Sequence, residues 1–355
     1  MIAQNACFAC LQNQAQKLCS RLCVSDIDIE SLLHKARNTP LPPPKIAIDV
    51  YGSIAERTGI EDPFFHIKQE SMQKAHNIAK ALLRTHPAPE LEMIEDTGDS
   101  IGDTMEDSIE EAPQAQDFRE STGFQKMKLQ YKQHFPQART QAKSPQFNSK
   151  FSPQSIAKRL SWAIYVAALG NVIDYGAQDN FSFEQADFAL EHLQFAKYDL
   201  QAFTQKLQNA KTMLYIADNA GENIFDEVLI SSLKTIYPHL HITYATRGAP
   251  IINDLTLQDL SHPLASNLKA HCTLLDSGVK SPGFIYEDAS GQTQDIYNQA
   301  DIILSKGMGN FECLHERKDS RLFLLFKVKC DVVATFCDVK KGMMMFIHNH
   351  PTQKD

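Results

Sequence analysis

The chain has 355 residues, 43% of them hydrophobic, and a formal net charge of -8. That length allows one large core or two domains sharing a cleft, and no apolar run is long enough to span a bilayer, which argues against a membrane partner. Ten acidic residues fall within 90–112, which has no Lys or Arg; without them 35 basic residues face 33 acidic ones, so the body is near neutral and a large basic nucleic-acid surface is excluded.

The opening MIAQNACFAC has no basic segment followed by an apolar one, so it does not read as a signal peptide, and a cytoplasmic protein is expected. Four cysteines crowd the N-terminus (Cys7, Cys10, Cys19, Cys23) and four lie in the last third. Without a secretory signal a disulfide framework is not expected. Residues 5–36 read as helical. After the prolines at 40–44, Ile46, Val50 and Ile54 recur every four residues up to Gly59, which predicts a helix ahead of a strand for this stretch. Asp62-Pro63 opens another helix that runs through Arg84. Residues 86–150 are acidic and then rich in Gln, Lys and Pro, and are expected to be a mobile insertion. Helical patterning resumes at Ser155 and runs through Asn171 to Asp174, and again over 183–210. Then apolar runs at 213–217, 242–245, 273–275, 302–304, 322–326 and, more weakly, 332–334 alternate with helical segments. This predicts an α/β fold, a three-layer αβα with a mostly parallel, Rossmann-like sheet, plus an N-terminal helical subdomain. The expected domains are 1–85 and 151–210 (helical), 86–150 (insertion) and 211–355 (α/β, catalytic).

Each apolar run after residue 210, apart from the weak one at 332–334, is followed by a short polar loop: Asp218-Asn219-Ala220-Gly221-Glu222, Arg247-Gly248-Ala249-Pro250 with Asn253-Asp254, Asp276-Ser277-Gly278, Ser305-Lys306-Gly307-Met308-Gly309-Asn310, and Lys327-Val328-Lys329-Cys330. In an open parallel sheet these loops gather at the carboxyl edge, where ligands bind. None carries GxGxxG or GxxxxGK[ST], which disfavours a dinucleotide or P-loop site. Two carboxylates and an amide, Asp218, Asp254 and Asn219, suit a hard divalent cation. Lys306, Lys329 and Arg247 suit phosphate oxygens. Gly221 would turn helix N–H groups toward an anion, with Glu222 complementing the dipole. Asn171 and Asp174 share a helix face and serve either the sugar side of the cleft or the helix end. Taken singly, Asp218 and Asn219 also fit a helix cap or turn, and Arg247 an internal brace.

At these loops the sequence resembles the damage-control phosphatases, the former domain-of-unknown-function-89 family. Asp62-Pro63-Phe64 with Lys68, Gly170-Asn171-Val172-Ile173-Asp174 and Cys7-Phe8-Ala9-Cys10 also match, the last pointing to the prokaryotic-type subfamily that begins with CxxC. The resemblance implies a metal-dependent phosphatase, a hydrolase of phosphate monoesters of small metabolites. It implies manganese, cobalt, nickel or magnesium at Asp218, Asn219 and Asp254, and phosphate or substrate contacts at Gly309, Asn310, Lys329 and Lys306. The expected partner is a small phosphate ester. Attack by water is expected, with Asp218 as nucleophile the minor alternative. Two rival readings stand beside it: an S-adenosylmethionine-dependent carboxyl methyltransferase, which the single glycine of the first loop disfavours, and a non-catalytic metal or redox sensor using the four N-terminal cysteines. Those cysteines, spaced three, nine and four apart, either bind zinc or pack as ordinary helix residues.

Overall fold

The computed structural model describes residues 1–94, 150–172, 190 and 192–349. Most of the acidic segment, and Asp174, lie outside them.

The stretch expected to be helical over 5–36 holds two helices, α1 (Asn5–Arg21) and α2 (Ile29–Arg37). The chain breaks at Cys23, which takes φ 57°, and restarts at Asp28, whose carboxylate caps α2 by accepting from the Ser31 N–H at 3.0 Å. Helix α3 (Pro43–Thr58) follows the prolines as expected and stops at Gly59, which adopts the left-handed φ of 66° that ends helices. Phe8, Leu11, Leu18, Leu33, Ile46, Val50 and Ile54 form one core among these three helices. Helix α4 (Phe65–Thr85) leads back to the main body, with Met72, Ala75 and Leu82 in the larger core.

Helix α5 (Pro153–Gly170) is capped by Ser152 and is buried almost all round, as an apolar, uncharged second half demands. Beyond it, the helix expected over 183–210 is corrected: 195–198 is strand β1 (Phe195–Tyr198), followed by α6 (Leu200–Leu207); most of 183–191 lies outside the described residues. Then come β2 (Thr212–Ile216), α7 (Glu222–Ile236), β3 (His241–Thr246), α8 (Ser266–His271), β4 (Thr273–Asp276), α9 (Gly291–Gln299), β5 (Ile302–Lys306), α10 (Met308–Leu314), β6 (Leu322–Lys327), α11 (Asp331–Cys337) and β7 (Met344–His348). The weak strand expected at 332–334 is helical. Three apolar residues do not define a period, and the Cys330 thiol accepts from the Val333 N–H to start α11.

The seven strands run in the order β1-β7-β6-β5-β2-β3-β4. Every neighbouring pair is parallel except β6 and β7. Side chains alternate between two cores: Met213 and Tyr215 of β2 face α5 and α7, while Leu214 and Ile216 face α9, α10 and α11. From β2 the chain moves outward through β3 and β4, then returns to place β5 on the other side of β2. The crevice at the carboxyl ends of β2 and β5 is therefore the topological switch point, where such sheets bind ligands. Among the described residues, no helix is long and apolar enough to cross a membrane.

Candidate functional site

Strand β2 ends at Ile216, and Asp218 and Asn219 follow directly. Gly221, at φ 96°, turns the chain into α7, whose first residue is Glu222. The loop after β3 returns to the same place. The Leu255 N–H donates to the Asp218 carbonyl (2.8 Å), the Ala220 N–H donates to the Asn253 carbonyl (2.9 Å), and Asn219 pairs with Asp254 in an isolated antiparallel bridge. Two loops far apart in the chain thus bring Asp218, Asn219 and Asp254 together. The Asn219 amide donates to Asp218 Oδ2 (3.1 Å) and Glu222 Oε1 (3.0 Å).

Asp218 and Asp254 are buried, and burial pushes both acids above the ordinary carboxylate range. The Glu222 and Asp254 charges push Asp218 further, while Lys329 and Arg247 act against them. A buried cluster of hard oxygen donors whose charges repel one another suits a small dication. No three His, Cys, Asp or Glu side chains among the described residues are gathered to hold a metal; in the candidate set the third donor is the Asn219 amide oxygen.

The predicted cations occupy distinct positions. The Arg247 guanidinium donates to Asp254 Oδ2 (2.7 Å) and Asn310 Oδ1 (2.9 Å) and lies 3.6 Å from Asp218 Oδ1. Asn310 is used on every side. Its oxygen also accepts from the Phe284 N–H (2.7 Å), and its amide donates to the Ala217 and Lys306 carbonyls. Lys306 is fully buried, its ammonium donating to Glu222 Oε2 (3.0 Å), Asp226 Oδ1 (2.7 Å) and the Ala167 carbonyl (3.0 Å). Burial opposes that charge, yet the Asp226 and Glu222 carboxylates hold its pKa above the usual lysine value. Asn171, at the end of α5, donates to Glu222 Oε2, and its own oxygen has no partner among the described residues. Lys329 alone of the predicted cations is exposed, and it lines the cleft above Asp218.

The site has parts to which sequence reasoning gave no role. Asp226, buried on α7, accepts from Tyr215 (2.7 Å), Tyr244 (2.8 Å) and Lys306. Its signal was a carboxylate inside the apolar stripe of Phe225, Leu229 and Leu233. Lys68, matched by pattern but given no role, is buried between Asp62 (2.6 Å) and Asp259 (2.8 Å). Gly307 ends β5 at φ 90°, and a Cβ there would overlap the Asp218 carboxylate. Gly307→Ala is therefore expected to displace Asp218 and cost about 1–3 kcal/mol of stability; a thermal melt beside a turnover assay checks both.

The cleft has a volume of about 640 Å³. Its floor is the Asp218–Asp254 cluster, and its far wall is α1 and α3, with Cys7, Cys10 and Tyr51 facing Met308, Gly309 and Lys329. Gly309 packs on the Pro282 carbonyl, where a side chain has no room. Cys7, Cys10 and Cys330 line this cleft, whereas Cys19 packs in the helical core and Cys23 is exposed, so the four N-terminal cysteines do not form one group. Burial raises the Cys7 and Cys10 thiol pKa values, which disfavours reactive thiolates.

The model of the damage-control phosphatase ARMT1-like domain matches residues 3–345, nearly the whole chain. The chain belongs to this family. The damage-control phosphatase PH1575 of Pyrococcus horikoshii is 34% identical over 190 residues, covering 53% of this chain and 64% of that protein. A damage-control phosphatase of Archaeoglobus fulgidus is 33% identical over 186 residues, covering 52% and 63%. The matched stretch thus spans just under two thirds of the length of these relatives. The crystal structure of the DUF89-family protein from Pyrococcus horikoshii superposes with a TM-score of 0.70 at 25% identity, over 98% of this chain and 99% of that one. Membership in the damage-control phosphatase family accords with the switch-point cluster of two carboxylates and an amide.

Proposed function

We propose that this protein is a metal-dependent phosphatase that hydrolyses phosphate monoesters of small metabolites. The convergence of Asp218, Asn219 and Asp254 at the floor of a cleft that the exposed Lys329 also lines supports this reading most directly. Asp218, Asp254 and the Asn219 oxygen are the ligands for a divalent metal, which when bound supplies an acidified water and a Lewis acid for the phosphoryl group.

The chain's own residues divide the remaining work. Lys329 meets the non-bridging phosphate oxygens from the open side. The N–H groups at the start of α7, expected from the sequence to face an anion, are largely taken: Gly221 donates to Asn223 Oδ1, Glu222 to the Asn219 carbonyl and Ile224 to the Gly221 carbonyl, so the phosphate depends on side-chain charge instead. Arg247 fixes the rotamer of Asp254 and carries positive charge beneath the cluster, which favours an incoming dianion. Glu222, held by Lys306 and Asn171, accepts from the Asn219 amide and so anchors that side chain beside the cluster. Because phosphoryl transfer demands mainly positioning and charge stabilisation, these buried, interlocked side chains match its needs.

The test is a panel of metabolite phosphates assayed for released phosphate with manganese, cobalt, nickel or magnesium in turn, and with chelator. Activity with at least one metal that falls by about a hundredfold or more in chelator is the expected result. Hydrolysis unaffected by chelator, or none across the panel, overturns the proposal.

A further inference from the structure

Helix α1 forms one wall of the cleft, and its cleft-facing residues Cys10, Gln14, Lys17 and Arg21 fall at helical spacing on one stripe. The adjoining side of α1, whose Leu11 and Leu18 also reach the cleft, is fixed with Ala15 in the helical core, and the Tyr51 hydroxyl donates to Gln14 Oε1 (3.2 Å), so the stripe is held toward the cleft. Lys17 and Arg21 make no hydrogen bond or ion pair among the described residues, although both line the cavity. Every other basic side chain of the cleft and its floor is accounted for: Arg247 and Lys306 lie in buried ion pairs, and Lys329 serves the scissile phosphate in the reading above. A cleft of about 640 Å³ is of drug-ligand size and far exceeds what one phosphate fills.

We propose that Lys17 and Arg21 bind a second anionic group of the substrate, at the end remote from the phosphate that is cleaved. The preferred substrates are then anionic in two places: bisphosphates, or phosphate esters that also carry a carboxylate. Arg21 presents a planar fork suited to either oxyanion, and Lys17, one turn away, adds a compact charge. Between the two ends the walls are largely apolar, with Pro43, Pro44, Tyr51, Phe64 and Ile252, which fits a short carbon skeleton spanning the charges. The inference rests on the phosphatase reading for the identity of the first group, but its own test does not need turnover.

Calorimetry with magnesium present compares butane-1,4-bisphosphonate, 4-phosphonobutyrate and butylphosphonate, which no phosphatase hydrolyses, on the wild-type chain and on Lys17→Met/Arg21→Gln. At least one of the two doubly anionic probes is expected to bind the wild type about tenfold more tightly than butylphosphonate, and the double substitution removes that advantage while leaving butylphosphonate affinity unchanged. Which of the two probes gains more distinguishes phosphate from carboxylate. Equal affinities in the wild type, an advantage that survives the double substitution, or no binding of either doubly anionic probe overturns the inference. If the phosphatase panel succeeds, kcat/KM is expected to follow the same order through KM rather than kcat. If the panel fails while the calorimetric difference holds, the chemistry is wrong and the second anion site stands.

Discussion

Asp218→Asn is expected to lower phosphate release by about a hundredfold or more with every activating metal, while leaving the fold at least as stable as the wild type. The two halves of this outcome have one cause. Asp218 sits buried beside Glu222 and Asp254, and its carboxylate form is disfavoured there by desolvation and by those two charges. Replacing it with an amide of the same shape relieves that repulsion and removes a hard, charged ligand. The 3.6 Å approach of Arg247 to Asp218 is lost, but Arg247 keeps Asp254 and Asn310. Gains of stability on neutralising functional residues are common, because such sites hold arrangements that folding alone does not favour. Turnover measured beside a metal-free thermal melt decides the matter. Normal turnover removes Asp218 from both the water and the direct-attack versions of the chemistry, and a large loss of stability recasts it as a structural residue.

The second large effect concerns Lys306→Met, which is expected to destabilise the protein by about 3–5 kcal/mol. The substitution leaves Asp226 in the sheet–helix core with two tyrosine hydroxyls and no cation, and leaves Glu222 leaning on two amides. Breaking a fully buried pair costs far more than its net worth in the intact state, since the surviving charge cannot reach water. Lys306→Met/Asp226→Asn should therefore recover part of the loss, because the remaining amide can still bond the tyrosines. Denaturant midpoints of the two variants measure the difference. A Lys306→Met protein of unchanged stability but raised KM would instead make this lysine a phosphate contact.

Much of the sheet was visible in the primary string because its central strands are continuous apolar runs, as strands covered on both faces must be. The two strands that escaped are different in kind. Phe195–Tyr198 is four residues long at the sheet edge and includes Lys197, and Met344–His348, though apolar in four of its five residues, is set apart by running antiparallel beside β6. The position of the site was legible for the same reason as the strands, since each polar loop had to fall at a strand end. The supports beneath it were not. Asp226, Lys68 with Asp259, and Gly307 act by touching residues tens or hundreds of positions away, and nothing local marks a helix carboxylate as the counter-ion of a lysine at the end of another strand. Likewise the cleft wall supplied by α1 depends on how three short helices dock, which periodicity does not specify.

The backbone bonds that lace the loop after β2 to the loop after β3 have a thermodynamic consequence. Because Leu255 and Ala220 close that seam as part of the folded chain, the disorder given up in arranging Asp218, Asn219 and Asp254 is lost once, when the polypeptide folds, and not again at each encounter with a ligand. Affinity at this end of the cleft should accordingly show little entropic penalty.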